Sequence, residues 1–243
     1  PLLDGDSDIV LTTPLESKGY VDMTLLALRT FGVTVTETET GYHVPGNQRY
    51  AACGTAVESD YSQAGFFYAA KGLGCPLDIR GLAPDSAQGD RCIIPYCAAL
   101  DGDGLVELDV SQCPDLVPPL AARAALRAGG AVTRLTNAAR LRIKESDRLS
   151  SVTAVLNAMG AHVEEHPDSL TIYGADSLRG GCTVDCCNDH RIAMMAAVAA
   201  VRCEAPVTLT GAECVKKSYP DFWEDYEKLG GRVVRADGQR RTL

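Results

Sequence analysis

The sequence lacks the features that would direct it to a membrane or to nucleic acid. No stretch reaches the roughly 18 apolar residues that a bilayer-spanning helix needs. Residues 1–6 have neither the positive region nor the apolar core of a secretory signal peptide. A basic balance is also missing, because 32 acidic residues outnumber 23 basic ones and give a formal charge of -9. We therefore expect a cytoplasmic protein without affinity for nucleic acid or an anionic membrane surface.

Ten cysteines are present, but no Cys-x-x-Cys pair of the kind that binds metal occurs. The cysteines lie in apolar runs such as residues 97–100. Cysteines in such surroundings are typical of the reduced core of a cytosolic protein. The sequence therefore predicts buried thiols, no metal site and no cofactor.

Internal repetition is the strongest organisational signal in the chain. In the first repeated pattern, a helix closed by a left-handed glycine leads directly into a strand, around Gly32, Gly160 and Gly230. In the second pattern, an alanine-rich helix leads into a short strand that ends at Gly or Asn. This second pattern covers residues 62–81, 116–137 and 190–211. Its helices are apolar on most faces, so we expect them to be central and buried.

The alternation of the two patterns predicts an α/β fold of repeated βαβαββ-like units. Residues 34–44 and 163–172 read as hairpins that close such units. Between residues 92 and 108 the first pattern is reduced to a weak helix and the turn at 101–104, so one unit is abbreviated. Residues 84–91 are polar and rich in turn formers, which makes them the best candidate hinge between two domains.

Basic residues gather beside three predicted helix starts, whose N-cap residues are Ser146, Asp189 and Ser218. A cation at a helix start is unfavourable by roughly 0.3–1 kcal/mol. A single such case is usually a solvated surface charge. Three cases in repeats that could bring the helix starts together favour a shared anion site, where the ligand also uses free backbone N–H groups. The basic residues are Arg140, Arg142, Lys144, Arg148, His190, Arg191, Lys216 and Lys217.

Carboxylates and hydroxyls accompany these cations. Glu145 lies inside the first basic run, and Asp115 opens a buried helix after a Cys-Pro pair. Asp115 is either a helix cap or an acceptor for substrate hydroxyls and a general base. Ser17 and Tyr20, at the start of the first helix, are either a cap and a core aromatic or hydroxyls that contact a polar ligand.

Three motifs carry a resemblance to a known family. They are Leu-Arg-Ile-Lys-Glu-Ser-Asp-Arg-Leu at 141–149, Asn-Asp-His-Arg-Ile-Ala-Met at 188–194, and Lys-Ser-Tyr-Pro-Asp-Phe at 217–222. Supporting matches lie at 17–24, 58–63 and 85–90. In these motifs and in their order the chain closely resembles the 5-enolpyruvylshikimate-3-phosphate (EPSP) synthase family, whose members are 3-phosphoshikimate 1-carboxyvinyltransferases.

The resemblance implies a protein of two inverse α/β barrels, each built from repeated βαβαββ units. Residues 1–89 would form the terminal part of one domain, and residues 90–243 most of the second. Family members are considerably longer, and the motifs of their first half are not found in this chain. The resemblance therefore implies a C-terminal portion, inactive alone, whose partner is the missing N-terminal half. We expect a monomer that uses no metal.

The resemblance also implies a reaction in the shikimate pathway, which leads to chorismate and the aromatic amino acids. The enolpyruvyl group of phosphoenolpyruvate moves to the 5-hydroxyl of shikimate 3-phosphate, and phosphate is released. In this reaction the cations would hold two phosphorylated, carboxylated substrates and stabilise the tetrahedral intermediate.

The site residues that the resemblance implies fall into two groups. Asp115 would accept the proton of the 5-hydroxyl, Glu145 would be the neighbouring acid or base, and His190 would be a third catalytic group. The substrate-binding residues would be Ser17, Tyr20 and Lys144 for shikimate 3-phosphate, and Arg148, Arg191 and Lys217, beside His190, for phosphoenolpyruvate. Arg140 stands where some members have asparagine.

Two other functions compete with this interpretation. One is the related UDP-N-acetylglucosamine enolpyruvyl transferase, against which the Lys-Glu-Ser-Asp-Arg and Asn-Asp-His-Arg motifs argue. The other is a non-catalytic ligand-binding domain that keeps the motif residues as structure.

Overall fold

A computed structural model describes residues 1–235 of the chain. Its helices are α1 (Lys18–Thr30), α2 (Tyr61–Gly72), α3 (Ile93–Ala99), α4 (Val117–Ala125), α5 (Arg148–Met159), α6 (His190–Ala200) and α7 (Phe222–Lys228). Its strands are β1 (Ser7–Val10), β2 (Thr36–Thr38), β3 (Gly41–Val44), β4 (Leu105–Asp109), β5 (Val132–Thr136), β6 (His162–Glu165), β7 (Leu170–Tyr173), β8 (Leu178–Gly180), β9 (Thr183–Asp185), β10 (Cys203–Ala205) and β11 (Thr208–Thr210). Within this part of the chain, none of the helices combines the length and apolar character that crossing a bilayer requires.

The described strands form four sheets. Strands β1, β3 and β2 make an antiparallel sheet in that order, and β4, β5, β7 and β6 make a mixed sheet in that order. Strands β4 and β5 are parallel, because the helix α4 carries the chain back between them. Strands β8 and β10, and strands β9 and β11, pair in parallel around α6 in the same manner.

Three alanine-rich helices, α2, α4 and α6, pack against one another in the core. Every residue of α4 is buried, as are all residues of α6 except Ala200. The prolines Pro118 and Pro119 are tolerated in α4 because they lie in its first turn, where backbone N–H groups have no helical partner. The prediction of central, buried helices is confirmed for α4 and α6, whereas only half of the 12 residues of α2 are buried.

The helix–glycine–strand pattern holds best at Gly160. Helix α5 ends at Met159, Gly160 takes φ +105°, and β6 begins at His162. Gly32 also has a positive φ, of 79°, with β2 beginning at Thr36. The strand predicted after Gly230 is wrong, because residues 231–235 do not pair with a strand in the described part of the chain. The strand predicted to follow α2 is likewise absent from residues 76–81.

Other predictions about the fold are confirmed. The two predicted hairpins are β2–β3 and β6–β7. The abbreviated region 92–108 holds the short helix α3 and a turn through Gly104 before β4 begins.

The ten cysteines are free thiols, but Cys53 and Cys187 are exposed, so the prediction that the cysteines are core residues is wrong for these two.

The predicted hinge runs into the 3₁₀ helix Gly89–Cys92, which packs against the start of α1. A Cβ at Gly19 would lie 2.8 Å from the Cα of Gly89, so the two backbones touch. The Lys18 N–H also donates to Oε1 of Gln112 at 2.9 Å. These contacts bring the first turn of α1 beside the segments that hold Asp90 and Asp115. The domain boundary at residue 89 stays a prediction.

Candidate active site

The carboxylate of Asp115 is the meeting point of three predicted cations. It lies in the 3₁₀ helix Pro114–Leu116, and its side chain does not cap α4. Asp115 Oδ1 lies 2.7 Å from Arg148 Nη1 and 3.3 Å from Lys144 Nζ. Asp115 Oδ2 lies 3.2 Å from Arg191 Nη2. The capping interpretation of Asp115 is therefore wrong, and the carboxylate is the acceptor for cations from two other segments.

Arg148 connects Asp115 with two further carboxylates. It is the first residue of α5, and its side chain is 1% exposed. Its Nη2 donates to Oε2 of Glu145 at 2.5 Å, and its Nε donates to Oδ2 of Asp189 at 2.8 Å. Burial alone would lower the pKa of Arg148, but the bond to Asp189 and the charges of the other carboxylates raise it. The guanidinium therefore stays charged inside the protein.

Asp189 joins the starts of α5 and α6. As N-cap of α6 it accepts a hydrogen bond at Oδ1 from the Arg191 N–H at 3.0 Å. Its Oδ2 accepts from Arg148 and also from the Ser146 hydroxyl at 3.0 Å. The side chain is fully buried, and every one of these bonds helps to offset its desolvation. The prediction that the helix starts lie close together is therefore confirmed for α5 and α6.

Two of the predicted N-caps are wrong. Helix α5 is capped by Asp147, whose Oδ1 accepts from the Ser150 N–H, while Ser146 bonds to Asp189 instead. No helix begins at Ser218, because α7 begins at Phe222 after Pro220. A proline disfavours helical geometry in the residue before it, which here is Tyr219, so the helix begins only after the proline.

Lys217 reaches the site from the 3₁₀ helix Ala212–Lys217. Its Nζ lies 2.7 Å from Oε1 of Glu145, whose other oxygen accepts from Arg148. Burial tends to raise the pKa of Glu145, but the Lys217 bond, a backbone hydrogen bond and the Arg148 charge together lower it to about 2. Glu145 is consequently ionised at neutral pH, between two cations.

Arg191 adds contacts that reach across to α2. Its Nη1 donates to the backbone oxygen of Asp115 at 3.1 Å, and its Nη2 donates to the hydroxyl of Ser62 at 2.6 Å. Ser62 was not singled out from the sequence. A signal for it existed, because Ser62 and Arg191 each lie in the first turn of a helix in the same repeated pattern.

Tyr20, in the first turn of α1, brings a phenol between two carboxylates. Its hydroxyl lies 3.2 Å from Asp115 Oδ2 and 3.3 Å from Asp90 Oδ2. Burial and the two nearby carboxylates raise the pKa of Tyr20, so the phenol keeps its proton. Asp90 also went unnoticed among the predicted site residues, although it ends the matched segment 85–90.

The ring of His190 is buried beside this network. Its Nδ1 lies 4.0 Å from Asp189 Oδ1 and has no hydrogen-bond partner within residues 1–235. Burial and the charges of Arg191 and Arg148 lower the pKa of His190. The imidazole is therefore neutral at pH 7 and has a free ring nitrogen.

The remaining predicted residues lie at the margin. Ser17 is buried at a left-handed position with φ +54°, and its hydroxyl accepts from Arg140 Nη1 at 3.4 Å.

Arg142 faces away from the site: it pairs with Asp147 and Glu165 and donates to the carbonyls of His166 and Pro167. The resemblance implied no role for Arg142, and in the structure its donors join the start of α5 to the β6–β7 hairpin.

The charges of the site alternate in sign. The cations Lys144, Arg148, Arg191 and Lys217 are interleaved with the carboxylates of Asp115, Glu145 and Asp189. Burial tends to raise the pKa of Asp115, but the charges of Arg191, Lys144 and Arg148 outweigh it and lower the pKa to about 2. In such an arrangement the cations can release an internal carboxylate and bind the anion of a ligand instead. The carboxylates can accept a proton. Within the described part of the chain, no group of three or more acidic, histidine or cysteine side chains is arranged to hold a metal ion.

Comparison with known proteins assigns the family. A family model described as EPSP synthase (3-phosphoshikimate 1-carboxyvinyltransferase) matches residues 1–103 and 98–226. The chain belongs to the EPSP synthase family. It is 46% identical over 249 residues to the 3-phosphoshikimate 1-carboxyvinyltransferase of Clostridium kluyveri, covering 96% of this chain and 58% of that protein. The protein of the same name from Clostridium acetobutylicum is 45% identical, with 96% and 57% covered. The chain thus spans somewhat more than half the length of these relatives.

Solved structures show that the fold is the EPSP synthase-like inverse α/β barrel. An EPSP synthase from Acinetobacter baumannii superposes with a TM-score of 0.77 at 24% identity, covering 93% of this chain and 57% of that one. The enolpyruvyl transferase NikO from Streptomyces tendae gives a TM-score of 0.64 at 18% identity, with 94% and 56% covered. The predicted fold class and the predicted family are therefore confirmed.

Proposed function

We propose that this chain is the C-terminal portion of an enolpyruvyl transferase of the shikimate pathway. The complete enzyme would move the carboxyvinyl group of phosphoenolpyruvate to the 5-hydroxyl of shikimate 3-phosphate and release phosphate. The observation that carries the proposal is the convergence of Lys144, Arg148 and Arg191 on Asp115. Two phosphorylated, carboxylated substrates require several cations, and attack by a hydroxyl requires a proton acceptor. The names of the Clostridium relatives support the same reaction.

Asp115 is the proposed acceptor of the 5-hydroxyl proton. With a pKa of about 2 it is ionised, but three cations also make it a weak base. Lys144 is the most exposed of the three, and a substrate phosphate would draw it away from the carboxylate. Binding of the anionic substrate would thereby raise the basicity of Asp115 when the hydroxyl is in place. Ser17 and Tyr20 are proposed to contact the same substrate from the start of α1.

Phosphoenolpyruvate is proposed to bind on the other side of the network. There Arg148, Arg191 and Lys217 would hold its phosphate and carboxylate and stabilise the charge of the tetrahedral intermediate. Glu145, held by Lys217 and Arg148, would be the acid or base that exchanges a proton with the vinyl carbon. The neutral ring of His190 offers a free nitrogen for a hydrogen bond to this substrate.

A complete cleft is proposed to need the part of the enzyme that this chain does not contain, since the chain covers 58% of the C. kluyveri protein. The isolated chain would then be inactive. The ten free thiols support a cytoplasmic location, because thiols remain reduced in that compartment. We propose that the complete enzyme is a monomer.

The direct test is complementation. The N-terminal part of the C. kluyveri relative is joined to this chain, or supplied as a second chain, and phosphate release is measured with both substrates. We expect release from the completed enzyme and none from the chain alone. Lys144→Ala in the completed enzyme should abolish most of the release, whereas Lys71→Ala, an exposed lysine on α2, should not. Absence of release from a completed, folded enzyme would overturn the proposal.

Calorimetry on the chain alone separates the transferase fragment from a non-catalytic domain. We expect shikimate 3-phosphate to bind with millimolar affinity and Lys144→Ala to remove that binding. If neither shikimate 3-phosphate nor phosphoenolpyruvate binds, the charged network is structural and the non-catalytic alternative is favoured.

A further inference from the structure

Asp90 is a buried acid that the proposed mechanism leaves unused. It lies in the 3₁₀ helix Gly89–Cys92, and the residue is 2% exposed. Its Oδ1 has no hydrogen-bond partner within residues 1–235. Its Oδ2 lies 3.3 Å from the hydroxyl of Tyr20, which also lies 3.2 Å from Oδ2 of Asp115. A buried carboxylate without a cation of its own is expensive, so its position calls for an explanation.

The Tyr20 hydroxyl has one proton and two carboxylates within reach. When both carboxylates are ionised, the phenol donates to only one of them, and the other faces its lone pairs. One additional proton satisfies all three groups. An O–H on Asp90 then donates to the Tyr20 oxygen, and the Tyr20 O–H donates to Asp115. The three side chains therefore form a site for one further proton.

The surroundings decide which carboxylate holds that proton. Asp115 contacts Lys144, Arg148 and Arg191. The groups that face Asp90 are the phenol of Tyr20 from α1, the hydroxyl of Ser62 from α2, the guanidinium of Arg191 from α6, the carboxylate of Asp115, and the thiol of Cys113. Burial raises the pKa of Asp90 to about 6, with a further contribution from the charge of Asp115, against the opposing effects of the Arg191 charge and of the Ser62 and Tyr20 hydroxyls. The pKa of Asp115 is about 2, so the extra proton resides on Asp90.

We propose that Asp90 is the proton reservoir of this site, linked to Asp115 through the hydroxyl of Tyr20. The proposal rests on the proposed function, in which Asp115 takes the proton of a substrate hydroxyl. As that O–H bond breaks, the proton moves to Asp115 and on to the Tyr20 oxygen, while the phenol proton moves to Asp90 Oδ2. The electron pair left on the substrate oxygen forms the new bond to carbon. One O–H bond is lost on the substrate and one is gained on Asp90, so no further reactant is needed.

Asp90 would act through Tyr20 and not by touching substrate, so it is a positioning residue. Its effect is to leave Asp115 ionised after the transfer, among the three cations that favour that state. Because Asp90 accepts a proton only when it is ionised, the relay works above its pKa of about 6 and fails below it.

The first test is carried out on this chain without substrate. The aspartate carboxyl carbons are labelled with ¹³C and titrated by NMR in the unsubstituted chain and in Asp90→Asn, Tyr20→Phe and Asp85→Asn. We expect a carboxyl that titrates near pH 6 in the unsubstituted chain and in Asp85→Asn, an exposed control in the same segment, but not in Asp90→Asn. The Asp115 signal should show the same inflection, and Tyr20→Phe should remove it. If Asp90 titrates below about pH 4, near its value in peptides, or if Asp115 does not sense it, the proposal is wrong.

The second test uses the completed enzyme. We expect Asp90→Asn to lower kcat by about 10²-fold, at the lower end of the range for acid–base catalysis, with KM unchanged. The rate of the unsubstituted enzyme should fall below a pH of about 6, and this inflection should vanish in the variant. Unchanged kcat and an unchanged pH profile in Asp90→Asn would overturn the relay, while phosphate release by the unsubstituted enzyme would still support the proposed function. No release from the unsubstituted enzyme would overturn both, whatever the NMR titration gave.

Asparagine is a suitable replacement because it keeps the size of the side chain and its amide can donate to the Tyr20 oxygen, as protonated Asp90 would. The titration of Asp115 in the Asp90→Asn chain provides a check on the fold. A pKa that stays near 2 shows that the three cations are still in place.

Discussion

At the scale of residues, the guanidinium of Arg148 lies between carboxylates from three segments of the chain, those of Asp115, Glu145 and Asp189. The Asp189 side chain is fully buried and that of Asp115 is 18% exposed, so both rely on the arginine to offset their desolvation, whereas Glu145 is partly exposed. A residue that would serve substrate binding therefore also holds the ligand-free site together.

We predict that Arg148→Ala lowers the free energy of unfolding by about 3–5 kcal/mol, the range for removing one partner of a buried ion pair. Urea denaturation followed by circular dichroism measures the change. Arg140→Ala is the control, because the exposed Arg140 lies 3.5 Å from Glu16 and such surface pairs contribute less than about 1 kcal/mol. Equal effects of the two substitutions would show that Arg148 is not the structural centre of the network.

At the same scale, the sequence distinguished only in part the cations that belong to the site from those that do not. Lys144, Arg148, Arg191 and Lys217 meet the carboxylates as expected, but Arg142 does not. Alternate positions in a short run point in different directions once the chain turns, and the 3₁₀ helix at 139–143 turns Arg142 toward β6. Asp90 was missed because its burial and its contact with Tyr20 are not visible in a local pattern, whereas the repeated pattern did contain a signal for Ser62.

At the scale of elements, the repeats were read correctly where the boundary chemistry is strong. Asp189 caps α6 and Gly160 closes α5, because a carboxylate accepts backbone N–H bonds and glycine tolerates a positive φ. The strand expected after Gly230 does not form. A segment with β-branched residues becomes a strand only where a neighbouring strand supplies hydrogen bonds. The segment 231–235 has no such neighbour within the described residues.

We predict that Gly160→Ala lowers the free energy of unfolding by about 1–2 kcal/mol, the penalty for an L-residue in the left-handed region. The added Cβ would also lie 3.1 Å from the backbone nitrogen of Arg179. Gly129→Ala is the matched control, because Gly129 has open space around it and lacks a positive φ, and its effect should stay within about 0.5 kcal/mol. Denaturant melts of both variants test the prediction, which fails if the two glycines prove equally replaceable.

At the scale of the whole molecule, Asp90 should influence global stability as well as chemistry. Its folded-state pKa of about 6 lies above its unfolded value, so the stability it contributes is present at low pH and is lost as pH rises through 6. The lowered pKa values of Asp115 and Glu145 act in the opposite direction, since their contribution is lost as pH falls toward 2. These two groups remain in an Asp90 variant and cancel in a comparison.

We predict that the free energy of unfolding of the unsubstituted chain falls, relative to Asp90→Asn, by about 2 kcal/mol between pH 4 and pH 7. A rise of about two pKa units corresponds to roughly 1.4 kcal/mol each. Part of that total lies below pH 4, where the carboxyl of the unfolded chain is also protonated. Urea melts of both chains at the two pH values give the difference directly. A pH-independent difference would mean that Asp90 titrates alike in the folded and unfolded chains.

The family, the alternation of helices and strands, and the main cations of the site can be predicted from the amino-acid sequence alone. These depend on local physical chemistry: apolar periodicity, glycine at positive φ, and the residue types of short motifs. Tertiary structure alone decided that Asp115 is an ion-pair acceptor and not a helix cap, that Arg142 faces away, and that Tyr20 bridges Asp115 and Asp90. The reason is that desolvation and charge pairing depend on residues that are far apart in the chain, 129 positions in the case of Ser62 and Arg191. Only the packing of the helix starts brings such residues together.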